Sequence, residues 1–326
     1  MKVRLAKPGK ISKKAFPENP AEPRARNVSR QIIPVRKKRR LKYIAVLPSL
    51  VTLINALCGF IAIVLASRSP VFTWNLFFMR DSSMTSLTLA GYMIILAMIA
   101  DMLDGRLARL TRSTSSFGGQ LDSLSDAISF GIAPAFLTLK LVESHIERLM
   151  ADSSGYPLFI GRVVFFTAIF YAMCAVIRLA RFNVENEEDE MAHMNFTGLP
   201  TPAAAGVVVS LLLYHQQILL RFPDESSGIF HIFELITVSA FPVITLLTGI
   251  LMVSRIRYPH LANQLFRGKK TLPGFLAIFA AGLLSVWNIQ LVLVIGFCSF
   301  ALFGVAKWII TSLPKKKETA KENEST

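Results

Sequence analysis

The amino-acid sequence predicts an all-α protein, a polytopic transmembrane helical bundle of about eight spans. Of its 326 residues, 52% are hydrophobic and only 17% are charged, and the mean hydropathy is +0.48. A soluble protein of ordinary composition carries about 25% charged residues. Apolar runs long enough to cross a bilayer, which takes about 20 residues, recur along the chain. Because lipid offers the backbone no hydrogen bonds, such runs favour helix over other structures.

The first 42 residues are expected to differ from the rest because they are strongly basic and rich in proline. The formal net charge is +15 at pH 7, and much of the excess lies before residue 43, where only Glu18 and Glu22 oppose it. Five prolines in the same stretch break up any helix. We expect a disordered cytoplasmic arm that is attracted to anionic lipid headgroups. Nucleic acid is the alternative partner for such a charge, but a membrane domain directly behind the arm favours lipid and no nucleic acid.

Eight apolar runs follow the arm, and each is predicted to be a spanning helix. Their approximate limits are 45–67, 86–109, 119–143, 158–182, 199–220, 229–254, 272–287 and 290–311. The last two runs almost touch, so they are either a helical hairpin or one broken span. The number of runs and the length of the basic stretch predict no cleavable signal peptide. Three cysteines lie inside apolar runs and are expected to be packing residues: Cys58, Cys174 and Cys298.

The basic residues of the loops predict the orientation of the bundle. Loops after the even-numbered spans, and the tail after the eighth, carry most of them: Arg112, Arg178, Arg181, Arg255, Arg257, Arg267, Lys269, Lys270, Lys315, Lys316 and Lys317. By the positive-inside rule, this side faces the cytoplasm. Both termini are therefore expected there, as an even number of spans requires. The acidic stretch 183–194 is expected to be a solvated loop on the same side.

Four aspartates lie where the second and third spans meet the predicted cytoplasmic surface. Asp101 and Asp104 are three residues apart, and Asp122 and Asp126 are four apart, so each pair shares one helix face. A charge at the centre of a membrane helix costs about 2.5–3.5 kcal/mol, and four converging carboxylates would repel one another unless cations held them. Oxygen ligands of this kind suit Mg²⁺ or Mn²⁺, which share their ligation with substrate phosphates.

The residues between the aspartates are suited to a phosphate ligand. Gly105 and Ala108 remove side-chain bulk, so a nucleotide could approach the backbone closely. Arg109 can pair with a phosphate as a bidentate donor. Gly118 opens the next helix, where backbone donors face an anion. The stretch between the two aspartate pairs is therefore expected to bind the phosphate of a nucleotide.

The whole pattern, D-x2-D-G-x2-A-R-x8-G-x3-D-x3-D from Asp101 to Asp126, resembles the complete signature of the CDP-alcohol phosphatidyltransferases. The resemblance implies the fold of that family, a homodimer and two Mg²⁺ or Mn²⁺ ions. It also implies that the four aspartates are the metal ligands and that Asp126 is the catalytic base. Thr52 and Asn55, which are polar residues of the first span, could face either the nucleotide or a neighbouring helix.

Further stretches resemble the membrane-embedded phosphatidylserine synthases of bacteria and archaea. These are LPSLVTLINALCGF (47–60), DSLSDAISFGIAPA (122–135), RLARFN (178–183), FTGLPTPAAAG (196–206) and SRIRYP (254–259). The resemblance implies an enzyme that transfers the phosphatidyl group of CDP-diacylglycerol to the hydroxyl of L-serine with release of CMP. Arg178 and Arg181 lie where they could reach the serine carboxylate, although a plain anchoring role at the membrane interface also explains them.

Three alternatives remain open from the sequence. The acceptor could be choline, glycerol 3-phosphate or an inositol phosphate instead of serine. A polytopic divalent-cation transporter would place its acids near mid-membrane on several helices, whereas here they cluster at one edge of two helices. The third alternative is a lipid-binding scaffold without enzymatic activity, against which the four intact aspartates argue.

The chain is accordingly divided into four parts. Residues 1–42 are the basic arm, and 43–260 are the catalytic membrane domain. Residues 261–313 are a C-terminal transmembrane hairpin, and 314–326 are a charged cytoplasmic tail. The expected location is the cytoplasmic membrane, with the active site on the cytoplasmic side, where both the lipid nucleotide and serine are within reach.

Overall fold

A computed structural model describes residues 46–68, 85–111, 116–149, 156–188, 198–221, 228–256, 258 and 288–312. Within these ranges every regular element is a helix: α1 (Val46–Ala66), α2 (Ser86–Thr111), α3 (Ser116–Asp126), α4 (Ala133–Leu149), α5 (Tyr156–Glu188), α6 (Thr201–Arg221), α7 (Gly228–Val253) and α8 (Ile289–Ser312). A π-helical segment, Ala127–Ile132, joins α3 to α4 as one continuous helix.

Seven helices in the described part are long and apolar enough to cross a membrane, with α3, the π-helical segment and α4 counted as one. The prediction of an all-α, multi-pass transmembrane bundle is confirmed. The predicted span 272–287, the basic arm 1–42 and the tail 314–326 lie outside the described residues. The prediction of a seventh and an eighth span as a hairpin therefore stays a prediction.

Two helices extend beyond their predicted limits. The third span, expected over 119–143, is part of a helix that is continuous from Ser116 to Leu149. Helix α5 continues to Glu188, into the acidic stretch that was expected to be a loop from residue 183. Glutamate is a good helix former, and a helix satisfies its own backbone whether it lies in lipid or in water. The limits of an apolar run therefore indicate which residues lie in the membrane, and the helix can continue beyond them.

The helices pack around two neighbouring buried clusters. Helices α1, α2, α4 and α6 share the first cluster, in which Ala62, Ile94, Leu137 and Leu212 are fully buried. Helices α5, α6, α7 and α8 share the second cluster: Tyr171, Val208, Met252 and Ala301 are among its members. Helix α6 contributes to both clusters and so connects the two halves of the bundle.

The turn before α6 is attached to the end of α7 through backbone hydrogen bonds. The N–H of Gly198 donates to the carbonyl of Ile256 at 2.8 Å, and the N–H of Leu199 donates to the carbonyl of Leu251 at 3.0 Å. Gly198 has φ +90°, and a Cβ there would overlap the carbonyl oxygen of Met252. Only glycine fits both the conformation and the close approach, so this residue fixes where α6 begins.

Helix α8 is held against the rest of the bundle by Tyr258, which follows α7. The Tyr258 hydroxyl donates to the carbonyl of Ala301 at 3.3 Å, and its ring covers Gly304. Burial raises the pKa of Tyr258 to about 12, so the hydroxyl keeps its proton at physiological pH. Near the start of α8, Gln290 donates to the hydroxyl of Tyr92 on α2 at 2.8 Å.

Candidate active site

The structure places the four aspartates of the predicted signature in one group, which we call the aspartate site. Asp101 and Asp104 lie on the last three turns of α2, and Asp122 and Asp126 lie on α3. One carboxylate oxygen each from Asp101, Asp122 and Asp126 lies within 4.8 Å of the others. Asp104 is only 4% exposed and Asp126 only 8%. The carboxylates are close enough to repel one another, so the arrangement is costly without positive charge.

Helix α1 supplies hydrogen bonds to two of these carboxylates. The side-chain amide of Asn55 donates to Oδ1 of Asp126 at 3.0 Å, and both residues are buried. The Thr52 hydroxyl hydrogen-bonds the side chain of Asp104. The sequence left open whether Thr52 and Asn55 face the nucleotide or a neighbouring helix. The structure shows both side chains in contact with the helices that carry the aspartates.

The π-helical segment begins directly after Asp126 and packs closely against α1. The Ser129 hydroxyl donates to the backbone carbonyl of Asn55 at 2.8 Å. A Cβ on Gly59 would lie 2.7 Å from the Cα of Ser129, so a larger residue would push the two helices apart. Glycine at this position lets Asn55 reach Asp126. A π-helical turn is a rare form that often occurs at functional sites.

The π-helical segment is stabilised by a contact from α5. The N–H of Ala133 bonds the carbonyl of Ile128, five residues earlier, in the pattern of a π-helix. The carbonyl of Phe130 accepts a hydrogen bond of 3.1 Å from the hydroxyl of Tyr171, which is fully buried. The backbone next to Asp126 is therefore held by contacts from both α1 and α5.

The donor set of the aspartate site fits a hard divalent cation. Oδ2 of Asp104 and Oδ1 of Asp122 are buried and have no hydrogen-bond partner among the residues that the structure describes. A buried carboxylate oxygen without a donor is unfavourable, and a bound cation would remove that penalty. An all-oxygen set of carboxylates suits Mg²⁺ or Mn²⁺ and not a thiolate-preferring or imidazole-preferring metal.

One of the predicted nucleotide-binding residues, Gly105, borders open space in the described part of the chain. A Cβ built on Gly105, which is exposed, meets no atom within 4 Å in the described part of the chain. Ala108 is half-buried one turn further along α2, and Gly118 is half-buried in the first turn of α3. The side chain of Arg109 lies outside the described residues. There is room beside Gly105 for a ligand to approach the backbone of α2.

The two predicted acceptor-binding arginines differ in their surroundings. Arg178 is half-buried on α5, where its Nη1 donates to the hydroxyl oxygen of Thr201 and its charge acts on Asp126. Arg181 lies three residues further on and is exposed. Of the two, Arg178 is the one that the fold brings to the aspartate site.

Sequence reasoning also missed the contacts of Thr201 and Ser123. Thr201, the partner of Arg178, is fully buried at the start of α6. The Ser123 hydroxyl donates to the side-chain carbonyl oxygen of Asn183 on α5 at 2.8 Å. Each had a sequence signal: Thr201 lies between two prolines, and Ser123 follows a signature aspartate. Neither signal indicates which distant helix the side chain contacts.

Comparison with known proteins gives one family. The family model described as CDP-alcohol phosphatidyltransferase matches residues 45–251, a range that contains the four aspartates, Thr52, Asn55 and Arg178. A protein of Helicobacter pylori named CDP-diacylglycerol–serine O-phosphatidyltransferase is 31% identical over 221 residues, which are 68% of this chain and 80% of that protein.

Two archaeal proteins are also similar. One from Methanocaldococcus jannaschii, with the same name as the Helicobacter protein, is 28% identical over 82% of this chain and 97% of its own length. The other, from Methanothermobacter thermautotrophicus, is named archaetidylserine synthase and is 31% identical over 68% of this chain and 73% of its own length. The similarity therefore extends over most of the length of proteins from two domains of life.

Proposed function

This chain belongs to the CDP-alcohol phosphatidyltransferase family, and we propose that it transfers the phosphatidyl group of CDP-diacylglycerol to the hydroxyl of L-serine and releases CMP. The observation that carries the proposal is the aspartate site, in which three carboxylates lie within 4.8 Å of one another. Next to Asp104, no atom of the described residues lies within 4 Å of a Cβ built on Gly105. The choice of serine is supported by the names of the bacterial and archaeal relatives. No described feature favours choline, glycerol 3-phosphate or an inositol phosphate over serine.

The aspartate site would hold the metal that this chemistry needs. In the proposal, two Mg²⁺ or Mn²⁺ ions are ligated by the four carboxylates: Asp101, Asp104, Asp122 and Asp126. When bound, such ions neutralise the charge of the diphosphate and the charge that develops on the leaving group. Thr52 and Asn55 keep two of the carboxylates in position through their hydrogen bonds. Gly105, Ala108, Arg109 and Gly118 are the proposed contacts of the nucleotide.

Asp126 is the proposed base. An alkyl hydroxyl is a weak nucleophile at neutral pH, so its proton must be removed as it attacks. The serine oxygen forms a bond to the phosphorus that carries diacylglycerol, the bond from that phosphorus to the CMP oxygen breaks, and the hydroxyl proton passes to the Asp126 carboxylate. Asn55 donates to Oδ1 of Asp126 and so fixes the orientation of this carboxylate. Arg178 and Arg181 are the proposed contacts of the serine carboxylate.

The membrane placement in the proposal follows from the two substrates. CDP-diacylglycerol keeps its acyl chains in lipid and its nucleotide in water, so the reaction belongs at the interface. The aspartates lie at the ends of two apolar helices, which suits that position. We place the site and both termini on the cytoplasmic side from the distribution of basic loop residues. Residues 43–260 are proposed as the catalytic domain, residues 1–42 as a lipid-attracted arm, and the active form as a homodimer.

A direct assay tests the reaction. Purified protein is supplied with CDP-diacylglycerol, Mg²⁺ or Mn²⁺ and a panel of alcohols, and CMP release and the lipid product are measured. We expect release that depends on serine and produces phosphatidylserine. Glu143→Gln, which alters the half-exposed Lys140–Glu143 ion pair on α4, is the control variant and should match the wild type.

Other outcomes would overturn parts of the proposal. Release with a different alcohol keeps the family chemistry and refutes serine as the acceptor. No release with any alcohol, from folded protein that binds CDP-diacylglycerol, indicates a lipid-binding scaffold. Cation flux into protein-containing vesicles without CMP release would indicate a transporter.

A further inference from the structure

One threonine outside the signature is in direct contact with the proposed acceptor site. Thr201 is the first residue of α6, is 0% exposed, and accepts a hydrogen bond from Nη1 of Arg178 on α5. The same arginine has a buried Nε with no hydrogen-bond partner in the described part of the chain. A buried guanidinium donor without a partner is unfavourable, so Arg178 is held in place with part of its donor capacity unused.

The edge of Arg178 that contains this Nε has the shape that recognises a carboxylate. A guanidinium presents five N–H donors in a planar fork, and two adjacent donors can pair with both oxygens of one carboxylate. Nε and Nη2 form one such edge, and Thr201 occupies Nη1, which is not part of it. The charge of Arg178 also acts on Asp126, so the guanidinium lies near the proposed base.

The position of Thr201 is fixed by the backbone around it. The hydrogen bonds from Gly198 and Leu199 attach the preceding turn to the end of α7, and the N–H of Ala204 closes the first helical turn on the carbonyl of Pro200. Pro200 and Pro202 flank the threonine, and proline restricts φ at each position. The Thr201 hydroxyl therefore has little freedom to follow Arg178 if the arginine moves.

From these contacts we propose that Thr201 is a positioning residue that determines the affinity for an acceptor with a carboxylate. By holding Nη1, it turns the Nε–Nη2 edge of Arg178 toward the acceptor next to Asp126. This inference rests on the proposed function and deepens it, since it assigns acceptor recognition to a contact between α5 and α6. Thr201 contacts Arg178 and is not one of the proposed metal or nucleotide ligands, so we expect its effect to fall mainly on the acceptor.

The test compares two substitutions at this position. Thr201→Val keeps the shape and removes the hydrogen-bond acceptor, whereas Thr201→Ser keeps the hydroxyl. We expect Thr201→Val to raise the KM for serine by about tenfold, the scale of one hydrogen bond to a charged group, with kcat and the KM for CDP-diacylglycerol within about twofold of the wild type. Thr201→Ser should restore the KM for serine.

Two controls separate a specific role from general damage. Thr245→Val alters another buried threonine, whose hydroxyl lies 3.4 Å from that of Thr138, and should leave the KM for serine unchanged. Ethanolamine, which has the hydroxyl and amine of serine without its carboxylate, should be used equally poorly by wild type and Thr201→Val. If Thr201→Val does not fold, as judged by thermal unfolding, Thr201→Ala removes the same oxygen without adding an apolar group.

The outcomes are distinguishable. Wild type that makes phosphatidylserine, together with Thr201→Val and Thr201→Ala of unchanged KM for serine, refutes the inference and leaves the proposed function standing. An equal rise in the KM for CDP-diacylglycerol also refutes it, because the threonine would then support the fold alone. Wild type without serine-dependent CMP release refutes the proposed function and, with it, this inference.

Discussion

In the described part of the bundle, two largely buried polar clusters lie near opposite ends of α2. One is the aspartate site, and the other, here called the histidine cluster, consists of Thr85, Thr88, His145, His215 and Gln216. His145 is 19 residues beyond Asp126 in one continuous helix, which corresponds to about 28 Å at 1.5 Å per residue. Both clusters connect α2 to helices that follow it in the chain.

Their internal bonding differs. In the histidine cluster the Thr85 hydroxyl donates to Oε1 of Gln216 and lies within hydrogen-bond distance of the Thr88 hydroxyl, both at 2.8 Å. Nδ1 of His145 bonds the carbonyl of Leu141 at 2.7 Å, and the two histidine rings pack with centroids 5.0 Å apart. Thr85, Thr88 and Gln216 thus bond one another within the cluster. In the aspartate site, acids face acids, and Asp104 and Asp122 each have a buried oxygen that no described residue contacts by a hydrogen bond.

The difference shows that buried polarity alone does not indicate a catalytic site. Polar side chains that bond one another across membrane helices contribute about 0.6–2 kcal/mol to helix association, and the bond between Thr85 and Gln216 has that role. Like charges gathered in one place oppose folding and need an external partner. The aspartate site requires something that the described residues do not supply, namely positive charge.

Removal of divalent cations should give the largest contrast between the two clusters. We expect a chelator to abolish CMP release, and Mg²⁺ or Mn²⁺ to restore it. Cation binding should also stabilise the fold, by about 2.7 kcal/mol at a concentration of 100 times Kd. The measurement is the midpoint of thermal unfolding with and without the cation. The midpoint of Gln216→Leu should rise with the cation as in the wild type. The midpoint of the double variant Asp101→Asn with Asp122→Asn should not change. An equal rise in the double variant and the wild type would refute metal binding at the aspartate site.

Asp126→Asn should have the next largest effect. Loss of a general base lowers kcat by about 10²–10⁴-fold, and loss of a metal ligand lowers kcat further. The cation-free variant should unfold at the same or a higher temperature than the wild type, because one of four repelling charges is removed. CMP release and thermal unfolding are measured on the same sample. More than a tenth of wild-type activity would contradict the role of Asp126.

Asn55→Leu should have an intermediate effect. It removes the donor to Oδ1 of Asp126 without changing the aspartates. A hydrogen bond to a charged group contributes about 1.5–3 kcal/mol, so we expect kcat to fall by about 10- to 100-fold with little change in the KM for serine. The matched comparison is Thr52→Val, which affects Asp104 instead and should weaken cation binding more than turnover. A fall in thermal stability without loss of kcat would show that Asn55 only supports packing.

Gln216→Leu should have the smallest effect on activity. It removes the acceptor of the Thr85 hydroxyl in the histidine cluster, and a neutral hydrogen bond contributes about 0.5–1.5 kcal/mol. We expect a lower thermal-unfolding midpoint and a kcat/KM within about twofold of the wild type. A large loss of turnover in the folded variant would show that the two clusters are coupled, and would refute the distinction drawn between them.

The aspartate site was within reach of sequence reasoning because its members are local. Asp101 and Asp104, like Asp122 and Asp126, share a face through helix periodicity alone, and the two helices follow each other in the chain. The fold class was predictable for a similar reason, since an apolar run of sufficient length requires a helix wherever it lies. The seventh predicted span and the proposed domain limits stay predictions.

The long-range contacts were out of reach. Asn55 and Asp126 are 71 residues apart, and Arg178 and Thr201 are on different helices. Such pairs depend on where each helix begins and how closely neighbours approach, and these are fixed by single residues such as Gly59 and Gly198. The π-helical turn has no signal in a pattern read at 3.6 residues per turn, because its neighbours on both sides keep the normal period.

That turn sets the rotation of one half of a helix relative to the other. Each residue of an α-helix advances the side chain direction by about 100°, and a turn that contains one residue more shifts the phase of everything beyond it. The segment Ala127–Ile132 therefore determines how the side chains of α4 are rotated relative to those of α3. Asp126 faces its partners at one end while His145, on the same helix, faces its own partners at the other. Deletion of one residue within the segment would leave the composition and length of the span almost unchanged, yet it would turn these two faces out of register.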